Sequence, residues 1–276
     1  MQKIDAHQHF WVFDPVRDSW ITDDMSAIQK NFLPQELKYV LHENGMDGCV
    51  AVQADQSEEQ NSFLLGLTEG NDFIKGIVGW VDLRAENIED RLAYYSHTKL
   101  MKGFRHVLQG EANRALMLEP DFMRGISLLN KYGFTYDILI FPDQLKYAEK
   151  LVRQFPDQKF VLDHIAKPYI KDGKIDTWAA EIDLLARQEN VWCKVSGMVT
   201  EADWHNWTND TFKRYLDVVF NAFGPNKLMF GSDWPVCLIA GQYAQVKGIL
   251  SDYCAALSPS EQNAIFGGNA ITFYNL

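Results

Sequence analysis

The sequence predicts an α/β fold, a single (β/α)8 TIM-type barrel of parallel strands spanning residues 1–276. Three observations carry this. Short apolar, β-branched segments recur along the whole chain. Stretches of helical period lie between them, and such alternation implies right-handed βαβ units around a parallel sheet. No Gly-x-Gly-x-x-Gly follows the first segment, which weighs against the main competitor, an open doubly wound sheet. At 276 residues the chain is close to the ~250 of a typical barrel.

The predicted strands are residues 3–9, 48–54, 74–83, 103–108, 135–141, 159–164, 191–195 and 228–231. Runs this short and apolar suit strands buried on both faces. Among the helical stretches, residues 34–44 repeat Leu37, Val40 and Leu41 and stop at Gly45. Residues 120–131 carry Phe122, Ile126 and Leu129, with Gly133 placed to cap the end. Residues 143–155, 176–187 and 210–223 show similar spacing. Two long connections, 10–33 and 197–207, each follow a strand. In a barrel both therefore lie at the C-terminal face, where long loops are usually functional.

The formal net charge of −11 repels polyanions, so nucleic acid is not an expected partner. Cys49, Cys193, Cys237 and Cys254 are far apart and form no C-x-x-C pair. They read as reduced core residues, not as a zinc ribbon or a redox dithiol. No stretch has the ~20 apolar residues of a membrane helix. The first ten residues carry Asp5, His7 and His9 where a signal peptide needs an apolar run. The expectation is a cytoplasmic protein that acts on a small molecule, with no membrane partner.

Three motifs carry candidate chemistry. His7-Gln8-His9 ends the first strand, and side chains two apart share a face, so both imidazoles can share a metal ion or a substrate oxygen. Asp163-His164 ends the sixth strand, where adjacent side chains point to opposite faces. With His164 facing the barrel mouth, Asp163 is expected to face the helices. Gly231-Ser232-Asp233 ends the eighth strand, with the glycine permitting close approach and Asp233 at the rim. Closure would make strand eight a neighbour of strand one and bring these motifs together.

Ile4-Asp5-Ala6-His7-Gln8-His9-Phe10-Trp11, Gly103-Phe104-Arg105-His106, Asp163-His164-Ile165-Ala166-Lys167-Pro168 and Gly231-Ser232-Asp233-Trp234-Pro235 together resemble the amidohydrolase superfamily, in its lactone-hydrolysing branch. That resemblance spans essentially the whole chain. It implies hydrolysis of a sugar lactone of the L-fuconolactone or L-rhamnonolactone type. It also implies Asp233 as acid–base group and His7, His9, His164 and Asp233 as ligands of at most one weakly held zinc, or of none. Two-metal members carry a bridging group on the fourth strand and a histidine on the fifth. This chain has Arg105-His106 and Tyr136-Asp137 there, so a binuclear site is not expected.

Arg105 or His106 is a candidate to polarise the substrate carbonyl. Gln53, Trp80, Asp82, Lys167, Trp204 and Trp234 fall at strand ends or in the long loops and are candidate substrate contacts, since flat indoles suit sugar rings. Ser196 and Met198 end the seventh strand and are further candidates. Two other functions compete, a metal-dependent decarboxylase of the same superfamily and a non-catalytic ligand-binding barrel.

Overall fold

The computed structural model describes residues 1–276. Eight parallel strands run in the order β1 to β8: Ile4–Gln8, Gly48–Val52, Ile74–Gly79, Met101–His106, Thr135–Ile138, Phe160–Leu162, Val191–Val195 and Leu228–Phe230. β1 meets the end of β8 through a parallel bridge between Gln8 and Trp234. His9 N donates to Trp234 O (2.7 Å) and Asp233 N donates to His7 O (2.8 Å). The sheet is thereby a barrel, and the open-sheet alternative is excluded. The pairs that close it are also the residues of the first and last motifs.

Helices α1 to α8 cover the barrel: Pro34–Glu43, Glu58–Gly66, Ile88–Ser96, Pro120–Leu129, Leu145–Gln154, Asp176–Ala186, Asn209–Phe223 and Tyr243–Tyr253. Their apolar faces and the outward side chains of the strands form one large buried core. Gly45 and Gly133 follow α1 and α4 with φ of +63° and +77°, the left-handed turns their positions predict. Two short helices, α9 (Pro259–Asn263) and α10 (Asn269–Tyr274), follow. α10 shuts the N-terminal end of the barrel: Ala270, Phe273 and Tyr274 join Ile4, Ala6, Val50, Val78, Val161 and Met229 in a second buried cluster. All four cysteines are free and buried. No helix is long and apolar enough to cross a membrane.

Five strands end two or more residues before their predicted limits, β2 at Val52, β4 at His106 and β5 at Ile138 among them. β3 stops at Gly79, and β6 stops at Leu162 because the chain then turns left-handed. His164, Ile165, Ala166 and Lys167 have φ of 55°, 49°, 60° and 48°. Such residues typically cost about 1–3 kcal/mol each and gather at functional sites.

Candidate active site

At the C-terminal ends of β1, β6 and β8 three imidazoles converge on one carboxylate. His7 Nε2 and His9 Nε2 lie 3.2 Å apart. Asp233 Oδ1 lies 3.4 Å from His9 Nε2 and 3.9 Å from both His7 Nε2 and His164 Nε2. Each ring is held from behind. His9 Nδ1 is hydrogen-bonded to Val52 O (2.8 Å), and His164 Nδ1 to Ser196 Oγ (2.9 Å). His7 Nδ1 faces Asp163 Oδ1 at 3.3 Å. Two glycines make room for this. A Cβ on Gly231 would stand 2.6 Å from His7 Cβ, and one on Gly197 would stand 2.5 Å from His164 Nδ1.

Arg105, at the end of β4, reaches the same centre. Its Nη1 donates to His7 Nε2 (3.2 Å) and to Asp163 Oδ2 (3.1 Å). Its Nη2 donates to Gln53 O (2.6 Å) and Gln53 Oε1 (3.1 Å). Gln53 thus aims the guanidinium and does not line the cleft. Behind the site, fully buried Lys194 from β7 pairs with Asp137 (2.5 Å) and Asp163 (3.0 Å).

Burial sets the protonation of the rings. It pushes His7 and His164 well below the ordinary imidazole value, against the pull of Asp163 and Asp233 respectively, so both are neutral at pH 7. Burial pushes Asp233 the other way, but His164, His9 and Lys167 outweigh it and hold the carboxyl below its usual value. Burial also opposes ionisation of Asp163, yet Lys194, His7 and Arg105 hold it well below the usual carboxylate range.

A cleft of about 320 Å³ opens above these groups. His9, Arg105, His164, Lys167 and Asp233 line its floor, and Trp20 of the first long loop lines its rim. That size is at the small end for ligand pockets, as a single ring requires. Lys167 Nζ stands 3.5 Å from Glu201 Oε1 of the second long loop.

Several placements differ from expectation. Asp163 does not face the helices. It is fully buried in the barrel interior beside His7 and Arg105, because it keeps the inward face of Val161 two residues before it; the left-handed turn that begins at His164 is what brings that imidazole to the mouth as well. His106 points away from the cleft, held between Glu111 Oε1 (2.7 Å) and the Trp80 indole N–H (3.3 Å), so Arg105 alone of that pair reaches the centre. Trp80 is spent on this contact. Asp82 is half-exposed beside Arg84, Trp204 donates its indole N–H to Thr200 O, and Trp234 is buried against Phe10 and Phe32. None of these four lines the cleft. Sequence reasoning passed over Arg17, Asp55, Gln56 and Gln109 on its walls and Lys194 below it. Lys194 carries a legible signal, since a lysine inside the apolar run Val191-Trp-Cys-Lys-Val195 demands a buried partner.

Histidines and an aspartate at the mouth of a closed (β/α)8 barrel define an amidohydrolase-type site. The chain belongs to the amidohydrolase family, whose pattern matches residues 4–276. It is 38% identical over 285 aligned residues to an L-fucono-1,5-lactonase of Burkholderia multivorans, covering 99% of this chain and 96% of that one. An L-fucono-1,5-lactonase of Burkholderia ambifaria is 32% identical, over 99% and 96% of the two chains. A crystal structure of an amidohydrolase from Burkholderia multivorans with bound zinc superposes with a TM-score of 0.96 at 37% identity, over 100% of both chains.

The donor set fits one divalent ion. Three imidazoles and a carboxylate, with the outer ring nitrogens anchored, are what zinc takes. His7, His164 and Asp233 offer ligand atoms within 4.8 Å of one another, and His9 Nε2 adjoins them. The Arg105 guanidinium places a positive charge 3.2 Å from His7 Nε2, beside these ligand atoms.

Proposed function

We propose that the protein opens a small sugar lactone, of the L-fuconolactone or L-rhamnonolactone type, to its aldonic acid. The observation that carries this is the convergence of an ionised carboxylate, neutral imidazoles and one guanidinium on a cleft of about 320 Å³. The two lactonase relatives, matched over nearly their whole lengths, support it. No feature of the cleft favours decarboxylation or simple binding.

Asp233, ionised, takes a proton from the attacking water. The Arg105 guanidinium, held in place by His7, Asp163 and Gln53, presents its positive charge to the carbonyl oxygen as negative charge develops there, and His164 and His9 complete the polar lining. Asp233 then returns its proton to the ring oxygen as the C–O bond breaks. The product carries a carboxylate and the freed hydroxyl, so water is consumed and no other reactant is needed. His7, His9, His164 and Asp233 would hold a divalent ion, which when bound supplies Lewis-acid polarisation and a more acidic water. Lys167 and Trp20 face the substrate's hydroxyls and ring.

A screen of aldonolactones by pH indicator, with and without chelator, tests the proposal. Acid release from an L-fuconolactone or L-rhamnonolactone is the expected result. No acid from any aldonolactone, with or without added zinc, sinks it.

A further inference from the structure

The barrel interior beneath the site holds charged groups that the proposed mechanism does not touch. Lys194 and Asp137 are fully buried, and neither lines the cleft. Burying an ion pair is costly, and well-packed apolar residues of similar volume usually serve stability as well or better. The pair's geometry shows what else it does. Lys194 Nζ binds Asp137 Oδ2 (2.5 Å) and Asp163 Oδ1 (3.0 Å), and lies 3.1 Å from His7 Nδ1. On the far side, the Tyr274 hydroxyl of α10 donates to Asp137 Oδ2 (2.8 Å).

Asp163 is the fork of this chain of contacts. Its Oδ1 faces His7 Nδ1 (3.3 Å), and its Oδ2 accepts from Arg105 Nη1 (3.1 Å). One carboxylate therefore orients both an imidazole of the centre and the guanidinium at the carbonyl position. Arg105 can only donate, so its contact with His7 Nε2 requires a lone pair there. The ring proton then sits on Nδ1, facing Asp163, and the Lys194 ammonium beside it, also donor-only, turns its protons to the Asp137 and Asp163 carboxylates. Without an anchor, Asp163 is free to turn wholly towards Arg105 and leave His7 unoriented.

We infer that Lys194 is a positioning residue of the active site: anchored through Asp137 to Tyr274, it fixes the Asp163 carboxylate that aligns His7 and Arg105. The inference rests on the lactonase reading for its kinetic consequence, but not for its structural one. Lys194 touches no substrate; apart from its own 3.1 Å approach to His7 Nδ1, it acts through Asp163.

The test is the triple change Asp137→Leu, Lys194→Met and Tyr274→Phe. It removes one negative and one positive charge together, so the interior remains charge-balanced, and the one partner it releases is Asp163, whose Oδ1 loses Lys194 Nζ. Two readouts apply, the 15N imidazole spectrum of His7 and the steady-state constants on the active lactone. The spectrum of the unaltered protein should show His7 in a single Nδ1–H tautomer, and that of the triple variant an exchanging mixture. Turnover should fall at least ten-fold with KM within two-fold. The milder Tyr274→Phe, which keeps every charge, should lower kcat two- to five-fold with KM unchanged, and decides the matter where the triple variant does not unfold cooperatively. A His7 spectrum identical in parent and variants overturns the inference whatever the substrate. So does a kcat within experimental error of the parent's. Absence of lactone hydrolysis by the unaltered protein counts instead against the function, and the spectrum still decides the role of Lys194.

Discussion

Asp233 stands where β8 gives way to the loop, on a left-handed backbone with φ of +58°. That turn carries its carboxylate towards the imidazoles, and its ionised state is what a proton acceptor needs. Replacing it by asparagine keeps the shape and removes the base. General acid–base catalysis is worth ~10²–10⁴-fold, and kcat of Asp233→Asn should fall by that order with KM little changed and the circular dichroism intact. Full activity in this variant moves the base elsewhere. Asp163→Asn should lose both turnover and stability, because the change unbalances Lys194 and Arg105 together; a variant with normal kcat contradicts the fork described above. Chelation should lower activity less than ten-fold, since Arg105 reaches the carbonyl position by itself; complete, zinc-reversible loss would show the ion to be indispensable. His7, His9, His164 and Asp233 were all legible as strand-end residues. That Asp163 and His164 both reach the centre was not: Asp163 follows the inward parity of Val161, whereas His164 joins it through a run of left-handed residues that no propensity foretells at His-Ile-Ala-Lys.

At the scale of the elements, the long loop after β1 brings Trp20 to the cleft rim, edge-on to buried Trp11 at 6.0 Å between ring centres. Its indole is 43% exposed there, an apolar face without a partner. Trp20→Ala should raise KM several-fold and leave kcat nearly unchanged, measured on the active lactone; an equal fall in kcat would place the indole nearer the reacting bond. Helix α2 shows why some elements escape a reading by period. The side it buries is partly polar, with Gln60 bonded to Phe10 O and Asn61 to both N and O of Trp80. The apolar repeat that betrays α1 and α5 is therefore weak. Arg91 of α3 grips Glu58 of α2, with Nε at 3.0 and 3.1 Å from the two carboxylate oxygens. Partial burial raises the Glu58 carboxyl, but Arg91 and Tyr95 outweigh it and lower it below its usual 4.5. A depressed acid stabilises the fold above its unfolded value, and that contribution is lost as pH falls through the folded one. After allowance for solvent screening, Glu58→Gln should cost about 0.5–1 kcal/mol at pH 7. The gap should close in acid below 4.5; urea unfolding at the two pH values measures it.

For the whole molecule, the number and order of strands were legible because each is a short apolar run closed by a turn residue or a motif. What decided barrel over open sheet is a set of contacts between residues more than two hundred positions apart, His9 with Trp234 and His7 with Asp233. Local sequence carries only an indirect trace of them, in the glycine at position 231 that lets β8 approach His7. The buried interior of the barrel was the least legible part. Lys194, Asp137 and Tyr274 come from three separate elements, and their meaning appears only once the strands stand in a ring.

Both ends of the chain lie at the floor of the barrel. Lys3 N bonds to Asp47 just ahead of β2, Lys102 Nζ bonds to Asn275 O beside β4, and α10 lies across the strand starts. The cleft opens on the opposite side. A molecule tethered to a bead or electrode through Met1 would stand with its mouth turned to the liquid, its substrate path unobstructed by the support. A tether at Leu276 would share that orientation but pull on the segment that holds Tyr274. For an immobilised catalyst, the two termini are alike in direction and unlike in consequence.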